Sequence, residues 1–245
     1  MTTLRARCAA VLGSCVLAGC GLSAQYLIGA SGGGMLFELR SRPSDGHTSA
    51  SFDPGPGPFW TASVFYREQH FDHTNLGLEL IYTRKEFEVS YSDGGLAGSY
   101  GTEGYVELDL LHLAIIPQVS LGASKRAVVR FGVMQGILLR GRISGREWYH
   151  VGGTNYDRTF EKERTEDFGG DLRLFFGFGF EVAMGERARV LFDPYFTPAI
   201  TSLLKQEPRA KGMEWGLRIG LALRMPGTTI AEWMQRITPA GEPGY

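Results

Sequence analysis

The chain has 245 residues, 34 of them Gly, with 25 Lys and Arg against 26 Asp and Glu. A net charge of −1 lacks the basic footprint of a nucleic-acid binder, and a mean hydropathy of −0.10 is too low for a bundle of membrane helices. All three cysteines (Cys8, Cys15, Cys20) lie in the first twenty residues and the five His are scattered, so no disulfide framework, metal site or cofactor is expected further on.

Arg5 and Arg7 precede an apolar run from Cys8 to Leu17 and then small residues, the layout of an export signal. The run is too short to cross a bilayer as a helix. Two processing sites compete. Leu17-Ala18-Gly19-Cys20 resembles a lipobox that would leave Cys20 lipidated, whereas Ser23-Ala24 before Gln25 suits ordinary cleavage. The small-residue rule favours cleavage after Ala24, which gives a signal peptide at 1–24, a folded domain at 25–225 and a tail at 226–245.

Eight segments carry strand periodicity. They run over Leu27–Leu39, Phe59–Gln69, Asn75–Ser92, Tyr105–Leu121, Ala127–Ile143, Asp171–Ala183, Arg189–Leu203 and Met213–Met225. The sixth is the clearest. Leu172, Leu174, Phe176, Phe178, Phe180 and Val182 alternate with a face that carries Asp171, Arg173, Gly177, Gly179 and Glu181. The third segment slips phase near Arg84, which reads as a β-bulge, and the fourth slips near Leu110. In the fifth, Val129, Phe131, Val133, Ile137, Leu139 and Ile143 share one face, and Arg130, Arg140 and Arg142 the other. The longest loop is placed at 144–168, strongly charged.

Long and short connections alternate, the pattern of an all-β, eight-stranded antiparallel up-and-down transmembrane β-barrel in the outer membrane. A soluble lipocalin-like barrel around an apolar ligand has the same strand count with the greasy face inward. Three observations favour the membrane: uniformly large greasy faces, glycine-rich charged faces, and Trp60 and Trp215 on the greasy face where an interfacial girdle sits. Charges that point inward must pair. One register brings Arg130 to Glu181 and Arg140 to Asp171, and sets Phe175 against Gly136; Arg224 is expected to meet Asp193. Glu38, Arg67, Glu79, His112, Gln118, Tyr195 and Arg218 are expected to face the same interior. An eight-stranded interior barely holds its own side chains, which favours a salt-bridged plug over a pore or proton path.

The stretch Tyr105-Val106-Glu107-Leu108-Asp109-Leu110-Leu111 resembles the Y-L-E-I-P-L-L strand of the PorT-like outer-membrane barrels of Bacteroidetes-type bacteria, with Asp109 where that family usually has Pro. The resemblance covers about Gln25 to Met225. It implies the barrel fold and, for some members, work in protein secretion.

In the tail, Thr229 and Glu232 form a capping box, and Ile230, Trp233, Met234 and Ile237 share one helical face. That face either rests against the barrel mouth or the inner leaflet, or docks a periplasmic partner. His150, Glu147, Asp157 and Tyr156 could be cast as a rim-active lipid-modifying site. No G-x-S-x-G, H-E-x-x-H or P-loop accompanies them, so an enzyme is not expected. The expected role is structural, adaptor-like or partner-binding. The partners would be outer-membrane lipid and a periplasmic or outer-membrane protein, with no nucleic acid.

Overall fold

In a computed structural model, residues 26–41, 59–71, 73–95, 98–122, 124, 126–163, 169–202 and 210–225 are described. The signal segment with Cys20 and the tail with Ile230, Trp233, Met234 and Ile237 lie outside the described residues.

Among the described residues nine strands follow in chain order: β1 (Tyr26–Ser41), β2 (Phe59–Phe71), β3 (Thr74–Gly95), β4 (Gly98–Leu121), β5 (Ala127–Val151), β6 (Thr154–Glu163), β7 (Asp171–Met184), β8 (Ala188–Pro198) and β9 (Ala210–Met225). Eight of them close a barrel. Each of β1 to β5 pairs antiparallel with the next, β5 pairs with β7, β7 with β8, β8 with β9, and β9 returns to β1. Closure leaves no unpaired edge around the wall, the condition for a sheet in lipid. β6 stands outside the barrel and pairs with the upper half of β5, from Arg142 opposite Glu163 to Val151 opposite Thr154.

The greasy faces point outward. Val64, Leu113, Ile137, Phe178 and Leu221 are each about half exposed, while Lys85, Arg173 and Arg218 inside the barrel are at most 2% exposed. A barrel with this surface would aggregate in water, and in a bilayer its apolar band is solvated. From Trp215 to Met225 the outward face of β9 is apolar, and ten residues at the usual strand tilt span about 25 Å. The chain is therefore an integral β-barrel of the outer membrane. The short connections at 71–74, 121–127 and 184–188 share one end with Tyr26 and Met225, the periplasmic end.

The upper boundary of the apolar band is sharp. Trp60, Arg84, Asp109 and Arg140 are successive register partners across β2, β3, β4 and β5. Below this rung the outward residues are Leu80 and Tyr82 on β3, Leu111 and Leu113 on β4, and Ile137 and Leu139 on β5. Above it they are Arg84, Glu86 and Glu88, then Asp109 and Glu107, then Arg140 and Arg142. The Tyr82 hydroxyl donates to Asp109 Oδ1 at 2.8 Å, and the Trp60 and Tyr82 rings lie 5.1 Å apart. Trp215 lies against Phe196 at 4.1 Å, on the neighbouring hairpin. These aromatic and polar side chains form the interfacial girdle.

Above the rung the polarity of the wall reverses. Phe87, Val106 and Leu108 point inward and are buried, as Ile143 is in part, while the charges point out. This reversal corrects three expectations. β3 has no bulge at Arg84, because its register with β4 is unbroken from Thr74–Val119 to Gly95–Gly98. Its change of hydropathy phase marks the exit from lipid. At the level of Leu110 the register does shift, but the additional residue is Leu139 on β5: Asp109 faces Arg140 and Leu110 faces Leu138. Glu38 lies on the exposed face of β1, not in the lumen, because Met35 and Phe37 occupy the inward positions.

The expected loop at 144–168 is also corrected. β5 and β6 form a hairpin through Gly152 (φ 56°) and Gly153 (φ 83°). Two consecutive positive φ angles make the turn that suits the twist of paired strands, and glycine adopts them without a Cβ clash.

If the half-exposed faces meet lipid, Leu221→Arg should lower unfolding stability in lipid bilayers by about 2–4 kcal/mol, while Glu161→Arg above the girdle should cost less than about 1 kcal/mol. Equal losses at both sites would contradict this placement of the membrane.

Candidate functional site

Inside the wall, Arg67, Lys85, Arg130, Arg173 and Arg218 meet Glu79, Asp171, Glu181, Asp193 and Glu214, and each of the ten is buried. The charges cancel five against five. They form two layers. In the periplasmic layer, Glu181 Oε1 accepts from Arg67 Nη1 (3.1 Å), Gln118 Nε2 (2.8 Å) and Arg130 Nη2 (3.4 Å). Its Oε2 accepts from Arg189 Nη1 at 2.9 Å. Arg130 Nη1 lies 2.5 Å from Asp193 Oδ2. Arg218 bridges Asp193 Oδ2 (2.7 Å) and Glu79 Oε1 (2.6 Å), and Ser63 also donates to Glu79 at 2.6 Å.

In the outer layer, Arg173 Nε donates to both Asp171 oxygens at 2.7 Å and its Nη1 pairs with Glu214 Oε1 at 2.7 Å. Lys85 pairs with Glu214 and lies 3.5 Å from Asp171, His112 Nε2 is 3.0 Å from Asp171 Oδ2, and Thr197 donates to Glu214 at 3.1 Å. Phe175 and Tyr195 stack at 5.7 Å, with the Arg218 guanidinium 5.2 and 4.9 Å from their ring centres. An apolar cluster of Met35, Phe37, Phe59, Phe87, Val106 and Leu108 covers the outer layer. Glycine makes room for the larger groups: a Cβ at Gly216 would enter the Tyr195 ring, and one at Gly136 would lie 2.6 Å from the His112 ring.

The expected pairs fare differently. Arg130 does reach Glu181, yet its cross-strand partner is Gly177 and Phe175 faces Gly132, not Gly136. Arg140 does not meet Asp171. Asp171 is opposite Gly136, and the additional residue Leu139 turns Arg140 outward, where its Nη2 pairs with Glu163 at 2.9 Å. Arg224 does not meet Asp193 either. The β8–β9 register sets Asp193 against Arg218 and leaves Arg224 at the periplasmic rim, opposite Leu27. Arg67, Glu79, His112, Gln118, Tyr195 and Arg218 all face the lumen. Lys85 was missed. Reading β3 in a single phase, with Ile81 and Thr83 inward, would have found it.

Above the membrane, β3, β4, β5 and β6 continue as a four-stranded sheet, rising eleven residues from Arg140 to Val151, or about 35 Å along the strand. Its outer side carries ion pairs: Arg142 with Glu161, and Arg146 with Asp157 through Nε at 2.7 Å. The Arg146 guanidinium holds the Asp157 carboxyl below its usual range. The inner side carries a row of tyrosines, Tyr100, Tyr149 and Tyr156, which are successive register partners. Tyr149 and Tyr156 stack at 4.9 Å. His150 is exposed on the outer side, Glu147 is held by Arg158 at 2.9 Å, and Asp157 by Arg146, so the four residues considered as a rim site do not converge. No group of His, Cys, Asp and Glu suited to a metal occurs among the described residues.

No family model matches the chain, and no curated protein matches it. Among solved structures it is similar to Ail, the attachment invasion locus protein of Yersinia pestis, with 12% identity and a TM-score of 0.37, over 81% of this chain and 98% of that one. It is similar to Neisserial surface protein A (NspA) at 10% identity and 0.41, over 82% and 99%. With the outer membrane protein AlkL the values are 13% and 0.43, over 83% and 90%.

If the ten charges act as one neutral set, Arg218→Met should cost about 3–5 kcal/mol of unfolding stability, because it leaves buried Glu79 without a cation and Asp193 with Arg130 alone. Adding Glu79→Gln to that variant restores four charges against four and should recover part of the loss. A double variant less stable than Arg218→Met would contradict a neutral set.

Proposed function

We propose that this protein is a closed, non-enzymatic outer-membrane anchor that presents its four-stranded sheet to a protein partner at the cell surface. The observation that carries the reading is the tyrosine row on the inner side of the sheet. Tyr100, Tyr149 and Tyr156 are 41%, 38% and 38% exposed and in register, on a hydrogen-bonded sheet above the girdle. Exposed tyrosines on a rigid surface offer large contact area at low entropic cost, the composition of interface centres. β6 adds a strand edge that pairs only with β5 among the described residues, so a partner strand can extend the sheet there.

A plugged lumen fits this role better than transport does, since its cross-section is occupied by mutually neutralised side chains. A non-catalytic role is supported by the engagement of Glu147 and Asp157 in ion pairs. The PorT-like kinship suggested by Tyr105–Leu111 would make the partner part of a secretion assembly, with this chain as its adaptor.

A photo-reactive residue at Tyr156, on intact cells, should give a discrete cross-linked adduct. With the photo-reactive residue kept at position 156, the replacement of Tyr100 and Tyr149 together by Ser should abolish that adduct while the barrel keeps its heat-modifiable migration on gels. Adduct formation that survives the replacement would overturn the proposal.

A further inference from the structure

The periplasmic mouth of the lumen has a different charge balance from its interior. A shallow pocket there is lined by Arg67, Arg189 and Arg224, with the Gln69 and Asn75 side chains and Tyr26 beside them. These residues come from β1, β2, β3, β8 and β9, so five strands converge on one opening. The only carboxylate that ion-pairs with these arginines among the described residues is Glu181. Its Oε1 is already shared by Arg67, Arg130 and Gln118, and its Oε2 is taken by Arg189. Arg189 and Arg224 are additional to the neutral interior set; Glu68, opposite Tyr26, is held by the Tyr66 hydroxyl and makes no ion pair with either among the described residues. Arg224 makes no side-chain ion pair among the described residues. Its backbone N–H is tied to the Arg187 carbonyl at 2.6 Å, which fixes the strand that presents it.

We infer that this mouth is a binding site for a small oxyanion, a carboxylate or phosphate group, presented from the periplasmic side. Guanidiniums recognise both groups by paired N–H donors, and the neighbouring amides of Gln69 and Asn75 supply further hydrogen bonds. The walls keep solvent off Arg67, which is 5% exposed, so its charge is screened less than that of a surface arginine. The anion has two sources: a periplasmic molecule, or a glutamate of the chain's own segment after Met225, whose strand ends beside Tyr26 at this opening. Glu232 and Glu242 are the carboxylates of that segment. The site is independent of the cell-surface reading, because the two lie at opposite ends of the barrel and use different residues.

The test is a titration of the full-length protein in detergent micelles with inorganic phosphate, followed by NMR of arginine Nε–Hε signals. Saturable shifts are expected at Arg67, Arg189 and Arg224 and not at Arg146 in the outer sheet. Arg224→Gln should weaken phosphate binding by roughly tenfold while the barrel keeps its heat-modifiable migration, and Arg189→Gln should weaken it as well. With Glu232→Gln and Glu242→Gln together, tighter phosphate binding identifies the chain's own segment as the occupant. Unchanged binding assigns the anion to an external molecule. Absence of a saturable shift at the mouth, or an equal shift at Arg146, would overturn the inference.

Discussion

Among the described residues ten charges lie buried inside this barrel, five of each sign, and their mutual pairing offsets the cost of enclosing them. An eight-stranded barrel has an interior about as wide as its own side chains, so every inward position must be filled. Filling it with apolar groups on both faces would give a chain that aggregates before it reaches a membrane. Filling it with charge costs several kcal/mol per ion unless each is paired. Here Glu181, Asp193, Glu79, Asp171 and Glu214 each meet two or more donors, and Arg218 and Lys85 each bridge two carboxylates. The glycines follow from this packing. Gly216 and Gly136 stand where Tyr195 and His112 need the volume.

The second organising feature is the rung of Trp60, Arg84, Asp109 and Arg140. Below it the outside is apolar and the inside ionic; above it Phe87, Val106 and Leu108 are inside and the ion pairs outside. The backbone is one continuous sheet across this level on β3 and β4, and only the solvent changes. The upper part obeys the rules of a soluble sheet, which is why a four-stranded surface can stand clear of the bilayer on the same strands that cross it.

That change of solvent governs what could be read from the sequence. The eight wall strands, their antiparallel order, the outward placement of Phe176 and Phe178, and the inward placement of Arg67, Glu79 and Arg218 all follow from simple alternation. Where the polarity of the surroundings reverses, alternation misleads. On β3 and β4 the hydropathy phase breaks with no bulge in either backbone, so Lys85 was lost. On β5 the additional residue Leu139 reverses the backbone phase just where the polarity reverses. The two changes cancel, and the sequence from Val129 to Ile143 looks like one uninterrupted face. Alternation alone therefore puts Arg140 in the lumen opposite Asp171, whereas the fold turns it outward to Glu163. The β5–β6 hairpin was signalled by Gly152-Gly153, but the surrounding charges looked like a solvated loop. Lumen pairs failed for a further reason: long arginines reach across several strands, so a register argument confined to direct neighbours cannot assign Arg218 to both Glu79 and Asp193.

Ion flow through the lumen is what separates a neutral plug from a conduit. Single-channel recording of the purified protein in planar bilayers addresses this most directly. The plug predicts a silent bilayer across the physiological range of voltage. Regular conductance steps from the wild-type protein, reversibly altered by charge substitution at Arg218, would contradict it.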